Sequence, residues 1–286
     1  MPAPELIRDP SAWQARCLAE RERGRRLALV PTMGFLHRGH LSLMREARAR
    51  VGPSGLSLAT IFVNPAQFGP GEDLARYPRD LDGDLAKCAA AGVDLVLAPE
   101  RQDRIYPPGF QTWVEVTGLS QGLCGARRPG HFRGVATVVT KLLNLSRPHL
   151  ALFGEKDWQQ LCVVKALSRD LDLGVEIVGL PIVREPDGLA LSSRNAYLST
   201  GERAVALSLS RALFEARDRA AAGLRDSSAL AALARRRLEE AGARVDYVQL
   251  VHPETLEPAA RAVPGTRLLL AAFVGQTRLI DNLALP

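Results

Sequence analysis

The stretch LALVPTMGFLHRGH, residues 27–40, decides the fold class. Residues 27–30 are an apolar run typical of a buried strand, and residues 40–50 show the spacing of an amphipathic helix. Apolar runs and helical patterns then alternate as far as residue 180. Strands separated by helices of crossover length predict an α/β fold in which a doubly wound parallel sheet carries helices on both faces.

The pattern changes after Pro181. A polar loop is followed by two helical segments, residues 201–223 and 227–242, and by three runs with strand character. Helices followed by strands without alternation predict a smaller α+β domain. We therefore predict two domains, residues 1–183 and 184–286. Residues 112–116 alternate between polar and apolar and predict one further, exposed strand.

Composition narrows the class of protein. The chain has 286 residues, is 47% hydrophobic and carries a net charge of +6, which suits nucleic acid or anionic small substrates. Its four cysteines are widely spaced, so a zinc site or disulfide framework is not expected and reduced thiols are. Polar residues near the N-terminus argue against a signal peptide, and no apolar run reaches the length of a membrane span. A cytoplasmic protein without a membrane partner is expected.

Four segments carry candidate chemistry. In the first, His37 and His40 flank Gly39 where the first strand gives way to a helix. The helix N-terminus favours a phosphate there, and two imidazoles add donors. The alternative is an ordinary turn with two surface histidines.

The second and third segments also follow predicted strands. Asn64 and Gln67 offer amides that suit a hydroxy acid, unless they only form an Asn-Pro turn. Lys156 offers a mobile charge to phosphates, beside Asp157, which is a candidate ribose ligand or helix cap. Gln160 lies one helical turn further on.

The fourth segment is Leu191-Ser192-Ser193-Arg194. Two hydroxyls and a guanidinium in succession form a donor cluster for a triphosphate. The alternative is a serine-rich surface loop.

The motif His37-x-Gly-His40 resembles that of the nucleotidyltransferase superfamily, which includes class I aminoacyl-tRNA synthetases. Its extension by Pro-Thr-Met-Gly is similar to the pantothenate synthetase (pantoate–β-alanine ligase) family. Further matches lie in Asp73-Leu-x-x-Tyr77-Pro-Arg79 and in Gly130-His-Phe-Arg-Gly134-Val. The resemblance covers nearly the whole chain.

The resemblance implies an ATP-dependent ligase that condenses pantoate with β-alanine through pantoyl adenylate and releases AMP and pyrophosphate. It implies a Rossmann-like N-terminal domain, a C-terminal lid, a magnesium requirement and a homodimer. His37, His40 and Lys156 would be catalytic, with Gln67, Gln160, Asn64 and Tyr77 on the substrate. The implied ATP contacts are Met33, Gly34, Phe35, Leu36, His37, Arg38, Gly39, His40, Gly154, Glu155, Lys156, Asp157, Val183, Leu191, Ser192, Ser193 and Arg194.

Two positions depart from the family pattern. Arg38 stands where an acidic residue is common, and Gly83 stands where a carboxylate is common. The loss at Gly83 leaves the metal ligands undetermined, with Asp82 and Asp84 as neighbouring substitutes or ATP phosphates and water holding the ion.

Two other functions remain open from the sequence. One is a nucleotidyltransferase that acts on a phosphorylated acceptor, against which stand the glutamine pair and the size of the C-terminal domain. The other is an RNA-binding module of synthetase-like fold, which would lose affinity steeply with salt and release no pyrophosphate. Our expectation is small-molecule substrates and no nucleic acid.

Overall fold

The computed structural model describes residues 2–286. Strands and helices alternate through most of the chain. Their bounds are β1 Glu5–Ile7, α1 Pro10–Glu22, β2 Leu27–Thr32, α2 Arg38–Val51, β3 Leu56–Ile61, α3 Leu81–Ala90, β4 Leu95–Leu97, α4 Leu123–Arg127, α5 His131–Ser146, β5 Leu150–Gly154, α6 Trp158–Asp170, β6 Glu176–Leu180, α7 Thr200–Ala221, α8 Ser227–Glu240, β7 Arg244–Val251, β8 Arg267–Val274 and β9 Thr277–Ala284.

The first six strands form one parallel sheet in the order β1-β4-β3-β2-β5-β6. The chain builds outward from β2 through β3 to β4, then returns to the other side of β2 with β5 and β6. That reversal makes a topological switch point between β2 and β5, where open α/β sheets bind ligands beyond the carboxyl ends of the strands. The predicted fold class is confirmed.

Both faces of this sheet are covered, which explains why its central strands are mostly apolar. Residues 27–30 of β2 are all fully buried. Ala28 and Val30 share a hydrophobic cluster with Met44 and Ala47 of α2. The alternate residues of β2 point to the opposite face, and α5 contacts β2 and packs against α1.

The last three strands form an antiparallel sheet in the order β7-β8-β9. Helices α7 and α8 share one hydrophobic cluster with it, in which Leu213, Leu230, Leu238, Leu268 and Leu270 are fully buried. The predicted change from α/β to α+β architecture is therefore present in the structure.

Contacts divide the chain into two units that differ in detail from a single cut. The first contains residues up to 121, Gly125–Glu155 and Val163–Pro181. The second contains Gly122–Cys124, Lys156–Cys162 and Ile182–Pro286. The start of α6 thus belongs by its contacts to the second unit. The domain boundary between residues 183 and 184 stays a prediction.

Residues 112–116 do not form the predicted strand. The backbone N–H of Val114 instead donates to the Thr137 hydroxyl of α5 at 3.0 Å. Trp113, 44% exposed, lies against the Arg133 guanidinium, whose carbon is 5.2 Å from the ring centroid. Side chains of α5 therefore hold this segment. Among residues 2–286, none of the helices combines the length and apolar character needed to cross a bilayer.

Candidate active site

The turn between β2 and α2 has an unusual backbone. Gly34 and Phe35 have positive φ angles of 83° and 50°, the second uncommon for a residue with a Cβ. The carboxylate of Asp84, 1% exposed, accepts hydrogen bonds from the N–H groups of Phe35 and Leu36, both at 2.7 Å. A buried side chain of α3 therefore holds the turn in shape.

Gly34 is also constrained sterically. A Cβ at this position would lie 3.0 Å from Asp84 Oδ2 and 3.0 Å from Ile61 Cγ2. The left-handed backbone would strain any L side chain in addition. Asp84 was a candidate magnesium ligand, but both of its oxygens are engaged by this turn.

The two histidines form a reciprocal cap at the start of α2. His37 Nδ1 accepts from the Gly39 N–H and His40 Nδ1 accepts from the His37 N–H, both at 3.2 Å. Because a backbone N–H can only donate, each neutral ring carries its proton on Nε2. The ring centroids are 4.0 Å apart. The turn thus presents two adjacent Nε2–H donors at a helix N-terminus, which suits an anion.

Asn64, in the second segment, follows the end of β3 and is 1% exposed. Its Nδ2 donates to the Gly134 carbonyl at 3.2 Å, and its Oδ1 accepts from the Tyr106 hydroxyl at 2.9 Å and from the Ala66 N–H at 3.3 Å. Burial raises the pKa of the Tyr106 phenol, so the hydroxyl keeps its proton and donates. These bonds give Asn64 a structural task in the loop.

Gln67 is brought next to the first segment. Its Nε2 lies 3.3 Å from the Met33 sulfur, and its Oε1 accepts from Asn64 Nδ2 at 3.0 Å. Tyr77 is 6% exposed, and its ring meets Phe68 edge-on with centroids 6.0 Å apart. The Met33–Gln67 contact therefore brings the first and second segments together.

The backbone carbonyl of Gln67 is held by residues that sequence reasoning did not assign. His131 Nδ1 lies 2.8 Å from it and Arg128 Nη2 lies 3.3 Å from it. Glu72 pairs with Arg128, Oε1 accepting from Nε at 2.7 Å. Glu72 is 56 residues from Arg128 in sequence, so no local pattern predicts the pair.

In the second unit, Lys156 is fixed by its main chain. Its carbonyl accepts from Asn282 Nδ2 at 3.0 Å, while its ammonium lies 3.4 Å from Asp157 Oδ2. Asn282 is in turn bonded to Arg267, which stacks on Trp158 with its guanidinium carbon 3.3 Å from the ring centroid. The lysine side chain is therefore not needed to hold its own backbone.

The two neighbouring glutamines of α6 differ in environment. Gln159 is 4% exposed and bonds to the Cys124 N–H at 3.0 Å and the Gly122 carbonyl at 2.9 Å. Gln160 is half-buried. The structural bonds of Gln159 leave Gln160 as the better candidate for a ligand.

Glu155 and Gly154, at the end of β5, are also half-buried. Apart from its chain neighbours, no atom of residues 2–286 lies within 4 Å of a Cβ built at Gly154. The close turn at this strand end therefore does not need glycine for steric reasons.

The fourth segment forms a compact polar loop. The Leu191 N–H donates to the Val183 carbonyl at 3.0 Å, and Ser192 Oγ accepts from the Arg194 N–H at 3.2 Å. Ser193, 9% exposed, begins a 3₁₀ turn that ends at Tyr197. These bonds fix the backbone that carries the predicted phosphate donors.

Candidate metal ligands are not clustered in the described part of the chain. Within residues 2–286 there is no group of three or more His, Cys, Asp or Glu side chains placed to hold a metal ion. Gly83 supplies no ligand, and the oxygens of Asp84 are bonded to backbone N–H groups. Only the exposed Asp82 remains of the carboxylates considered from the sequence.

Comparisons with known proteins agree along the whole chain. The family model described as "Pantoate-beta-alanine ligase" matches residues 5–284. Pantothenate synthetase of Anaeromyxobacter dehalogenans (strain 2CP-C) is 71% identical, with 100% of both chains covered. That of Myxococcus xanthus (strain DK1622) is 61% identical, with 98% of this chain and 95% of the relative covered.

Solved structures give the same answer. The crystal structure of pantothenate synthetase from Thermus thermophilus has a TM-score of 0.92 at 46% identity and covers 99% of this chain and 100% of its own. Pantoate-beta-alanine ligase from Francisella tularensis, crystallised with "Beta-gamma ATP and Beta-alanine", has a TM-score of 0.81 at 30% identity, with 99% and 98% covered. With the histidine turn, the glutamine loop and the sheet order in place, the chain belongs to the pantoate–β-alanine ligase family.

Proposed function

We propose that this chain condenses pantoate with β-alanine at the expense of ATP, through a pantoyl-adenylate intermediate. The observation that carries the proposal is the family match over residues 5–284. The ligands named for the Francisella tularensis structure, an ATP compound and β-alanine, fit this reaction.

In the first step the pantoate carboxylate attacks the α-phosphorus of ATP. A bond forms between the carboxylate oxygen and phosphorus, and the bond to the pyrophosphate oxygen breaks. His37 and His40 donate Nε2–H bonds to phosphate oxygens, and the Lys156 ammonium adds a positive charge. Donors fixed before the reaction stabilise the charge that builds on the leaving pyrophosphate.

In the second step the β-alanine amine attacks the acyl carbonyl of pantoyl adenylate. The C–N bond forms, the bond to the AMP oxygen breaks and the amine loses a proton to solvent or a phosphate oxygen. Pantothenate and AMP leave. The amide groups of Gln67 and Gln160 bind pantoate in both steps, and Gln67 also meets β-alanine. Tyr77 and Asn64 are assigned to the same pantoate site.

ATP binding is assigned to the turn after β2, the turn after β5 and the loop of the fourth segment. The backbone at Gly34 lets the nucleotide approach closely, and the serines and Arg194 supply donors for the triphosphate. The full set proposed is residues 33–40, Gly154, Glu155, Lys156, Asp157, Val183, Leu191, Ser192, Ser193 and Arg194.

We also propose that the ligase requires Mg²⁺ and that the ion arrives bound to ATP. The carboxylates described above offer no closed protein site, and magnesium keeps several waters when phosphates supply the remaining ligands. A cytoplasmic homodimer that binds no nucleic acid completes the proposal, on the strength of the family resemblance and the reduced thiols.

Pyrophosphate release tests the function directly. With ATP and pantoate alone, we expect about one pyrophosphate to be released per enzyme molecule if the adenylate stays bound. Adding β-alanine should give continuous turnover to pantothenate. Transfer of AMP to a phosphorylated acceptor, with no response to pantoate, would instead support the adenylyltransferase alternative.

A further inference from the structure

A closed polar network surrounds the Gln67 carbonyl. Arg128 forms a two-pronged pair with Glu72, with Nε to Oε1 at 2.7 Å and Nη2 to Oε2 at 2.5 Å. Burial opposes ionisation of Glu72, but the hydrogen bonds and charge of Arg128 outweigh it and hold the pKa of that carboxyl below its usual value. Arg128 also reaches His131 and the Gln67 carbonyl.

The network has one arrangement of protons. Arg128 Nη1 lies 3.1 Å from His131 Nε2, and a guanidinium can only donate, so Nε2 accepts. The imidazole proton then sits on Nδ1, which lies 2.8 Å from the Gln67 carbonyl and donates to it. Each member fixes the next, from Glu72 through Arg128 and His131 to the Gln67 peptide.

Helix α5 also lies close against the preceding peptide, which joins Ala66 to Gln67. A Cβ at Gly134 would lie 2.2 Å from the Ala66 carbonyl oxygen and 2.7 Å from the Gln67 nitrogen, so only glycine allows this approach. Asn64 Nδ2 bridges the Gly134 carbonyl and Gln67 Oε1. Both the backbone and the side-chain amide of Gln67 are therefore located by bonded neighbours.

These bonds do not serve as an ordinary helix cap. The N-cap of α5 is Gly130, which makes no side-chain cap bond. His131, the first residue of α5, turns its Nδ1 to the loop that carries Gln67. His131 is 9% exposed, so its hydrogen bonds are shielded from water. Hydrogen bonds in such surroundings are stronger than they are in water.

We propose that Glu72, Arg128 and His131 are positioning residues for pantoate, acting through Gln67. The proposal rests on the function of Gln67 proposed above. They fix the Gln67 peptide so that its amide meets the substrate in one orientation. A small displacement of such a group weakens every bond that it makes to substrate.

Kinetics of His131 variants test the proposal. We expect His131→Ala to raise the KM for pantoate about tenfold to a hundredfold and that for ATP less than about twofold. His131→Asn should recover most of the loss, because its Nδ2 can replace Nδ1 as donor to the carbonyl. Asn144→Ala, an exposed change on the same helix, is the control and should match the wild type. Equal rises in both KM values, or no recovery with asparagine, would overturn the proposal.

A double substitution separates positioning from direct contact. If His131 acts through Gln67, His131→Ala should change the pantoate KM by less than about twofold once Gln67→Ala is present. An undiminished effect in that background would show that His131 acts without Gln67 and would refute the positioning role. If Gln67→Ala alone left the pantoate KM unchanged, the assignment of Gln67 itself would fail, and this proposal with it.

A second variant tests the proposal if His131→Ala fails to fold. Should His131→Ala have no cooperative thermal transition, Arg128→Lys is measured, which keeps the charge but loses the two-pronged pair with Glu72. The same selective rise in pantoate KM is expected. A variant with wild-type KM for pantoate would contradict the network.

Discussion

The backbone of Lys156 is held separately from its charge, because Asn282 bonds to its carbonyl while its ammonium lies 3.4 Å from Asp157 Oδ2. We expect Lys156→Ala to slow pyrophosphate release about a hundredfold to a thousandfold, as for other preorganised donors. The thermal transition should stay near that of the wild type. Lys165→Ala, an exposed change further along α6, is the matched control. A Lys156→Ala enzyme within about threefold of wild-type turnover would remove the lysine from the mechanism.

Glu20 shows how a buried charge is retained. It is 1% exposed and pairs with Arg16, Arg23 at 2.7 Å and Arg25 at 3.1 Å. Burial opposes ionisation, but the arginines outweigh it and lower the pKa of the carboxyl. A lowered folded-state pKa contributes stability that is complete above the unfolded value and is lost as the pH falls through the folded value.

We therefore expect Glu20→Gln to be less stable than the wild type near about pH 7, with the difference shrinking as the pH falls below about 4. Urea unfolding followed by circular dichroism at several pH values measures it. Glu22→Gln, an exposed change on the same helix, should show little difference at any pH. A gap that widens in acid would contradict the assignment.

At the level of elements, α3 supports the turn after β2 through Asp84. Asp84→Asn places an N–H₂ group where one backbone N–H now finds an acceptor, so at least one bond is lost. A buried donor left unpaired costs about 1–3 kcal/mol, and the histidine turn should loosen. We expect lower stability and slower pyrophosphate release together. The control Asp82→Asn, exposed on the same helix, should leave the stability unchanged. Unaltered stability of Asp84→Asn would mean that the turn holds itself.

Gly83 takes part in the N-terminal cap of the same helix, α3. Its N–H donates to Asp80 Oδ1 at 3.0 Å, the N-cap bond of α3, and a Cβ there would lie 2.0 Å from Asp80 Oδ2. Restoring a carboxylate by Gly83→Asp would therefore displace the cap. We expect a loss of about 1 kcal/mol in the free energy of unfolding. In the Asp80→Ala background, where no cap remains to displace, Gly83→Asp should cost little. A full additional loss there would argue for a different cause.

Elements with a local signal were predictable, and those that depend on distant partners were not. β1 has three residues and exists because it pairs with β4, some ninety positions later. Residues 112–116 have a strand pattern but bond to α5. Helix α1 has a local start signal, since Asp9 accepts from the Ser11 and Ala12 N–H groups and Pro10 begins the helix.

The candidate site divides in the same way. The segments with His37, Gln67 and Lys156 were found from motifs at strand ends. The contacts of Asp84, Arg128 and His131 could not be predicted, because each bonds to a residue in another segment. Sequence spacing places a residue on an element but gives no information on which distant backbone group its side chain reaches.

At the scale of the whole molecule, the four cysteines divide between the units. Cys17 and Cys88, both 0% exposed, belong to the first, and Cys124 and Cys162, 8% and 7% exposed, belong to the second. Burial raises the pKa of the Cys17 and Cys88 thiols to about 12 in each case. At about pH 8 roughly one in ten thousand of these two thiols is then a thiolate, the form that reacts.

The buried thiols can therefore report how often each unit opens. A thiol reagent can modify Cys17 or Cys88 only when the first unit opens, so the labelling rate in mild denaturant reports the free energy of that opening. We expect Cys17 and Cys88 to be labelled at one common rate, with mass spectrometry of peptides assigning each site. Rapid labelling of either in the native protein would contradict their burial. Labelling of Cys124 and Cys162 reports on the second unit in the same way. If ATP changes the ratio of the labelling rates of the two units, the change shows which unit the nucleotide stabilises.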